Sequence, residues 1–276
     1  MKRILEPKKM QEFEFYLRNE ERSTATIEKY MRDVRFFMSY AGENEITKQT
    51  VLDYKSKLGE TYAVASANSM IAAMNCFLRF CGWHDLCVKQ FKMQREVYCS
   101  EEKELTRAEY IRLLEAANAK HNERLNLIIQ TICGTGIRVS ELQYITVEAV
   151  KCGEAVVSLK GKTRSVFIVR ELQKKLLRYA AEQKITSGAI FITRNGKPMS
   201  RTNIWREMKS LCEQAGVNPQ KVFPHNLRHL FACLYYKAEK DLSRLADILG
   251  HSNVNTTRIY TSVSGSEQQR QIGWDW

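Results

Sequence analysis

Apolar positions recur at helical spacing along most of the chain. Met10, Phe13, Phe15, Tyr16 and Leu17 give a broad apolar face to a helix over residues 8–19. Ser23-Thr24-Ala25-Thr26 has the composition of a helix start, and Ile27, Tyr30, Met31, Val34, Phe37 and Met38 follow at helical spacing, with Lys29, Arg32 and Arg35 on other faces. Thr47 caps a third predicted helix through Val51, Leu52, Tyr54 and Leu58, which Gly59 is expected to end. A fourth, from about Ala63 to Phe80, is rich in small residues, among them Ala65, Ser66 and Ser69. Small side chains let a second backbone approach, and a neighbouring helix is the commoner occupant. The result is a four-helix module over residues 1–95.

Residues 96–105 carry few apolar positions and mixed charge and read as a linker. Thr106-Arg107-Ala108-Glu109 then has the form of a capping box and opens the next domain, residues 106–276. Leu125 to Cys133 is strongly apolar, which predicts a central helix, broken by Gly134-Thr135-Gly136. A new helix start is predicted at Ile137–Leu142, with Arg138 in its first turn and Glu141 one turn along the same face. Ala155–Leu159 and Ser165–Val169 read as the strands of a hairpin whose basic tip is Lys160-Gly161-Lys162-Thr163-Arg164. An amphipathic helix over 171–183, a short apolar run at 189–192 closed by Asn195-Gly196, and a helix capped by Ser200 follow.

The densest patterning lies in residues 224–260. Pro224 stands at a preferred first-turn position, and His225 and Arg228, three apart, share one face of the helix it opens. Leu227, Leu230, Phe231 and Leu234 form the apolar stripe of that helix; Leu242, Leu245, Ile248 and Leu249 form the next, which Gly250 stops. His251 follows on an exposed turn, and Tyr260 falls in a segment that can restart as helix from Asn255. None of these four polar residues is expected inside an apolar stripe.

The 276 residues carry a formal charge of +12, with 16 Lys and Arg against 13 Asp and Glu through Tyr98 and 27 against 18 thereafter. Both halves are basic, which favours a polyanionic partner, nucleic acid before an acidic membrane surface. The eight cysteines include no CxxC pair and no zinc spacing, as reduced thiols of a cytoplasmic protein would show. The charged start, Met1-Lys2-Arg3, is not a signal peptide, and no apolar run is long enough to span a bilayer.

Taken one at a time, these features have ordinary readings: an i,i+3 surface ion pair for Arg138 and Glu141, a solvated turn for the hairpin tip, solvated helix faces for Thr26, Lys29, Arg32 and Arg35, a core tyrosine for Tyr260. Together, GTGIRVSEL (134–142), LKGKTRSVFIV (159–169), HNLRH (225–229) and LGHSNVNTTRIY (249–260) resemble, in order and spacing, the motifs of the tyrosine recombinases, or phage integrase family, closest to its short Xer-like and integron-type members. The resemblance covers the whole second domain; the first is similar, less specifically, to the family's helical core-binding domain.

The resemblance implies a mainly α fold with a small antiparallel sheet, two domains closing on DNA as a C-shaped clamp. It matches Arg138 to the first catalytic arginine, Glu141 to the acidic residue supporting it, Lys160 to the hairpin lysine (Lys162 being the alternative), His225 and Arg228 to the HxxR pair, His251 to the histidine after the glycine, and Tyr260 to the nucleophile. Thr26, Lys29, Arg32, Arg35, Lys162 and Arg164 are candidate DNA contacts. The implied activity is metal- and ATP-independent recombination of double-stranded DNA through a 3′-phosphotyrosyl intermediate, with no cofactor. The implied assembly is a homotetramer on paired sites, joined through the C-terminal tail. The residue types suit that chemistry: guanidiniums clamp phosphate oxygens without losing charge, and a phenol with an ordinary pKa of about 10 needs a base or a cationic site. A topoisomerase IB-like relaxing enzyme and a non-catalytic DNA-binding protein are the alternatives. His229 reads as structural, satisfied within the core.

Overall fold

The computed structural model describes residues 3, 7–42, 44–93, 103–159, 162–251 and 253–257. The chain divides into two compact units, Met1–Arg95 and Glu96–Trp276. The fold is mostly helical with one two-stranded antiparallel sheet. No described helix is long and apolar enough to cross a membrane.

In the first unit, α1 (Pro7–Asn19), α2 (Thr24–Ala41), α3 (Lys48–Thr61) and α4 (Val64–Phe80) surround a core of Phe13, Leu17, Val34, Phe37, Tyr54, Leu58 and Phe77. Ser23 caps α2 by accepting from the Thr26 amide, and Thr47 caps α3 with Thr50 in a reciprocal box. Gly59 does not end α3, which runs on to Thr61. Its lack of a side chain serves packing instead: a Cβ there would lie 2.8 Å from Cζ of Phe91.

Phe91 belongs to an extended segment after α4 that α4 itself holds in place. The Asn75 side chain donates to the Val88 carbonyl (2.8 Å) and accepts from the Val88 amide (3.0 Å). One face-repeat earlier, Asn68 does the same to Phe91, at 3.0 and 2.8 Å. Two buried amides thus satisfy a backbone that has no strand to pair with.

In the second unit, α6 (Glu123–Thr135) is central, buried among α5 (Arg107–Ala119), α8 (Arg170–Glu182), α9 (Arg201–Lys209) and α11 (Pro224–Glu239). The predicted capping box of Thr106 and Glu109 opens α5. A four-residue α10 (Cys212–Ala215) precedes α11. α12 (Leu242–Leu249) packs on α11 through Leu245 and Leu249 against Ala232.

Two local expectations change. Residues 139–144 form a 3₁₀ turn after α6 rather than an α-helix, and Arg138 stands before it with extended backbone (φ −76°, ψ 148°). Glu141 closes the turn, its carboxylate reaching back to the Arg138 amide at 2.9 Å. α7 (Val147–Cys152) follows.

The hairpin pairs β1 (Glu154–Leu159) with β2 (Lys162–Phe167), Leu159 opposite Lys162, so β2 begins three residues before the predicted Ser165. The inward phase of β2 is then Arg164 and Val166, continued by Ile168, and Arg164 faces Val157. Lys162, Thr163 and Arg164 are strand, not tip.

Replacing Asn75 with alanine removes both bonds to Val88 and should cost about 2–3 kcal/mol. Hydrogen-exchange protection of α4 amides in the full chain should fall by about 30- to 150-fold, with α6 unaffected.

Candidate functional site

The site is built on the C-terminal end of α12. Gly250 turns the chain there in the left-handed region (φ 63°), its amide bonding the Asp247 carbonyl and the His251 amide the Ala246 carbonyl, both at 2.9 Å. That closure leaves the next three carbonyls, where the negative end of the helix dipole is concentrated. Each receives an arginine: Arg164 Nη1 donates to Ile248 at 2.6 Å, Arg228 Nη2 to Leu249 at 2.6 Å, and Arg138 Nη2 to Gly250 at 3.3 Å.

Three guanidiniums this close need compensation. Glu141, only 1% exposed, accepts from Arg138 Nη1 at 2.9 Å and from Arg164 Nη2 at 2.7 Å. Burial works to raise its carboxyl, but the Arg138 amide and guanidinium and the Arg164 charge outweigh that and hold it below the usual carboxylate range. The pair is therefore no surface ion pair. Arg228 is buried too, at 2% exposure, its Nη1 donating to the Gly136 carbonyl at 2.5 Å. It lies inside the packed face of α11, contrary to the expectation from its spacing. Leu234, assigned to the apolar stripe, is exposed.

His251 Nε2 lies 3.1 Å from Arg228 Nη2, and its Nδ1 lies 2.9 Å from Oγ1 of the fully buried Thr257. A guanidinium only donates, so Nε2 accepts and the ring proton sits on Nδ1, directed at Thr257. Burial, then the charges of Arg228, Arg138 and Arg164, push the imidazole down to about 4. His225, one turn before Arg228, is lowered by desolvation and by Arg228, with His229, Arg138 and Arg201 adding to it. Both rings are neutral at pH 7. Thr257 escaped the sequence reading, since a threonine six residues past a histidine carries no distinctive pattern.

Lys160 and Tyr260 lie outside the described residues, and Lys162 is described by its backbone alone. Arg164 is not a surface DNA contact: its side chain is 13% exposed and committed to Glu141 and the Ile248 carbonyl. Its inward phase with Val166 and Ile168 was the signal available in the sequence.

Among the described residues one further group could be read as metal ligands, Glu104, His229 and Cys233. The carboxylate approaches His229 Nε2 at 3.7 Å, whereas the thiol lies 3.4 Å from Nδ1. The donor atoms of the three residues lie within 4.8 Å of one another. Burial lowers the His229 pKa, opposed by Glu104.

The sequence profile described as the phage integrase family matches residues 103–267, more than half of the chain. The chain belongs to the phage integrase family. Its first unit matches the N-terminal SAM-like domain of phage integrases over residues 10–84. Tyrosine recombinase XerA of Thermococcus kodakarensis is 31% identical over 92% of this chain and 90% of its own length. Among solved structures, the XerH site-specific recombinase bound to difH substrate aligns with a TM-score of 0.69 at 19% identity, covering 98% of this chain and 85% of that one. A lambda integrase tetramer bound to a Holliday junction aligns at 0.74 and 18% identity, covering 98% and 79%. The chain is accordingly a tyrosine site-specific recombinase, and the relaxing-enzyme and non-catalytic alternatives are not favoured.

The first unit of this recombinase carries an open groove of about 810 Å³ between α2 and α4, lined by Lys29, Arg32, Arg35, Ala65, Ser66 and Ser69 among others. Arg32 and Arg35 are exposed there. Lys29 is spoken for: it pairs with the buried Asp33 and donates to the Ser69 carbonyl at 3.3 Å. Thr26 bonds Ser23 at 2.8 Å within the cap of α2.

His251 is uncharged when folded and binds a proton more readily when unfolded, with an ordinary pKa near 6.5. Its contribution to stability is complete above about pH 6.5 and is lost as pH falls toward 4. Denaturant midpoints should drop across that window, with His225 and His229 acting in the same direction. His251→Gln should flatten the drop, measured against the wild type at pH 7, 5.5 and 4.5.

Proposed function

We propose that Arg138, Lys160, His225, Arg228, His251 and Tyr260 form a DNA strand-transfer centre, supported by Glu141. The observation that carries the reading is the arginine cluster on successive α12 carbonyls. Three guanidiniums face a single carboxylate, so the centre is net cationic and suited to the non-bridging oxygens of a phosphodiester. Arg138, whose side chain is 35% exposed, is the member open to such an anion.

In the proposed reaction the Tyr260 oxygen attacks the phosphorus and the bond to the 5′ oxygen breaks. Neutral His225 accepts the phenol proton, and Lys160 gives a proton to the departing 5′ hydroxyl. The 3′-phosphotyrosyl bond conserves the energy of the phosphodiester, and the reverse attack by a 5′ hydroxyl rejoins a strand without ATP or metal. His251 presents a lone pair to Arg228, so it acts first by orienting that guanidinium; a phosphate beside it would favour its imidazolium, which donates.

Double-stranded DNA is the proposed substrate, with the α2–α4 groove meeting it through Arg32 and Arg35. The lambda integrase that shares this fold is a tetramer on a Holliday junction, which supports a homotetramer on paired sites here. Its contact would be the C-terminal tail with Trp274 and Trp276, outside the described residues. The cytoplasm, where such DNA is reached, is the proposed compartment.

Covalent trapping tests this reading. Cells making the protein are denatured, the DNA attached to it is recovered, and the attachment points are sequenced. Wild type should be attached at a discrete repeated site, Tyr260→Phe should show none, and Arg138→Ala should lower the yield by about 10²- to 10³-fold. Attachment scattered over the genome, or none from the wild type, would overturn it.

A further inference from the structure

We propose that Arg164 is a positioning residue for strand transfer, the fork that fixes the hairpin, the Arg138 turn and the end of α12 relative to one another. The inference rests on the strand-transfer reading above. Arg164 leaves β2 on its buried face and binds in two directions at once: Nη2 to Glu141 at 2.7 Å and Nη1 to the Ile248 carbonyl at 2.6 Å. Glu141 in turn holds both the Arg138 guanidinium and its amide. The Ile248 carbonyl lies three residues before His251, and β2 starts two residues after Lys160. One side chain therefore touches the frames that carry Arg138, His251 and Lys160.

Packing fixes the fork further. A Cβ at Gly250 would lie 2.4 Å from Cδ of Arg164, so the glycine needed for the positive φ also admits the arginine stem against the turn. Arg164 Nε is buried and has no hydrogen-bond partner among the described residues, so the residue is held by its two terminal nitrogens and its stem. A lysine keeps the charge but replaces the planar fork, whose two terminal nitrogens each meet one acceptor, with a single ammonium on a flexible stem. Charge alone is therefore insufficient, and this separates a positioning role from a phosphate contact.

Arg164→Lys and Arg164→Met decide between them, alongside wild type and Tyr260→Phe in the full chain. Covalent attachment in cells should fall about 10- to 100-fold in Arg164→Lys. Binding to a 40-base-pair duplex of arbitrary sequence should keep the wild-type affinity and salt slope. NMR titration of the His251 ring should move to higher pH in Arg164→Met, which loses the charge, and stay in place in Arg164→Lys, which keeps it. Wild-type attachment by Arg164→Lys would overturn the proposal, as would a salt slope reduced by about one, the mark of a lost phosphate contact. The duplex and NMR measurements need no turnover. Absence of attachment from the wild type itself would instead count against the strand-transfer reading.

Discussion

A helix end that must be neutralised organises the second unit. The glycine turn after α12 satisfies the carbonyls of Ala246 and Asp247 and leaves those of Ile248, Leu249 and Gly250 to be bonded from outside. Arginines from three distant segments, at positions 138, 164 and 228, supply the donors. Each carbonyl takes a charge-assisted bond, and each guanidinium loses water in exchange for a fixed dipole. The arrangement is cooperative, because Arg164 and Arg228 could not be buried so close to each other and to Arg138 without the helix end and Glu141.

The same constraint sets the chemistry. Burial, and after it the positive charge gathered for structural reasons, lowers the proton affinity of His225 and His251, so that both imidazoles are neutral at pH 7. It also keeps the Glu141 carboxyl ionised although buried. In the proposed reaction an anion would meet donors already oriented, with little reorganisation left for the moment of reaction. The second unit thus has one source for its rigidity and for the positive charge of its centre.

The first unit uses polar groups differently. Asn68 and Asn75 hold an extended segment against α4, and Lys29, a candidate DNA contact in the sequence, pairs with a buried aspartate. What is left exposed in its α2–α4 groove, Arg32 and Arg35 beside alanine and serine, is a cationic channel with room for a backbone.

Local rules were enough for much of this protein. Caps at Ser23, Thr47, Thr106 and Ser200, the apolar stripe of α2, the strongly apolar α6 and the Gly250 stop each depend on residues within a turn or two of one another. The family motifs were legible for the same reason, since each is a short run. Spacing could not say where a long side chain goes once the chain is folded. Gly59 read as a stop because its role depends on Phe91, thirty-two residues on. Arg164 read as a hairpin tip because the register, set by strand pairing, decides its face. Arg228 read as exposed because the carbonyls that allow its burial belong to Gly136 and to α12. The sequence determined the helices and the inventory of charged groups; the tertiary structure decided which charges are buried and paired, because that depends on acceptors contributed by distant segments.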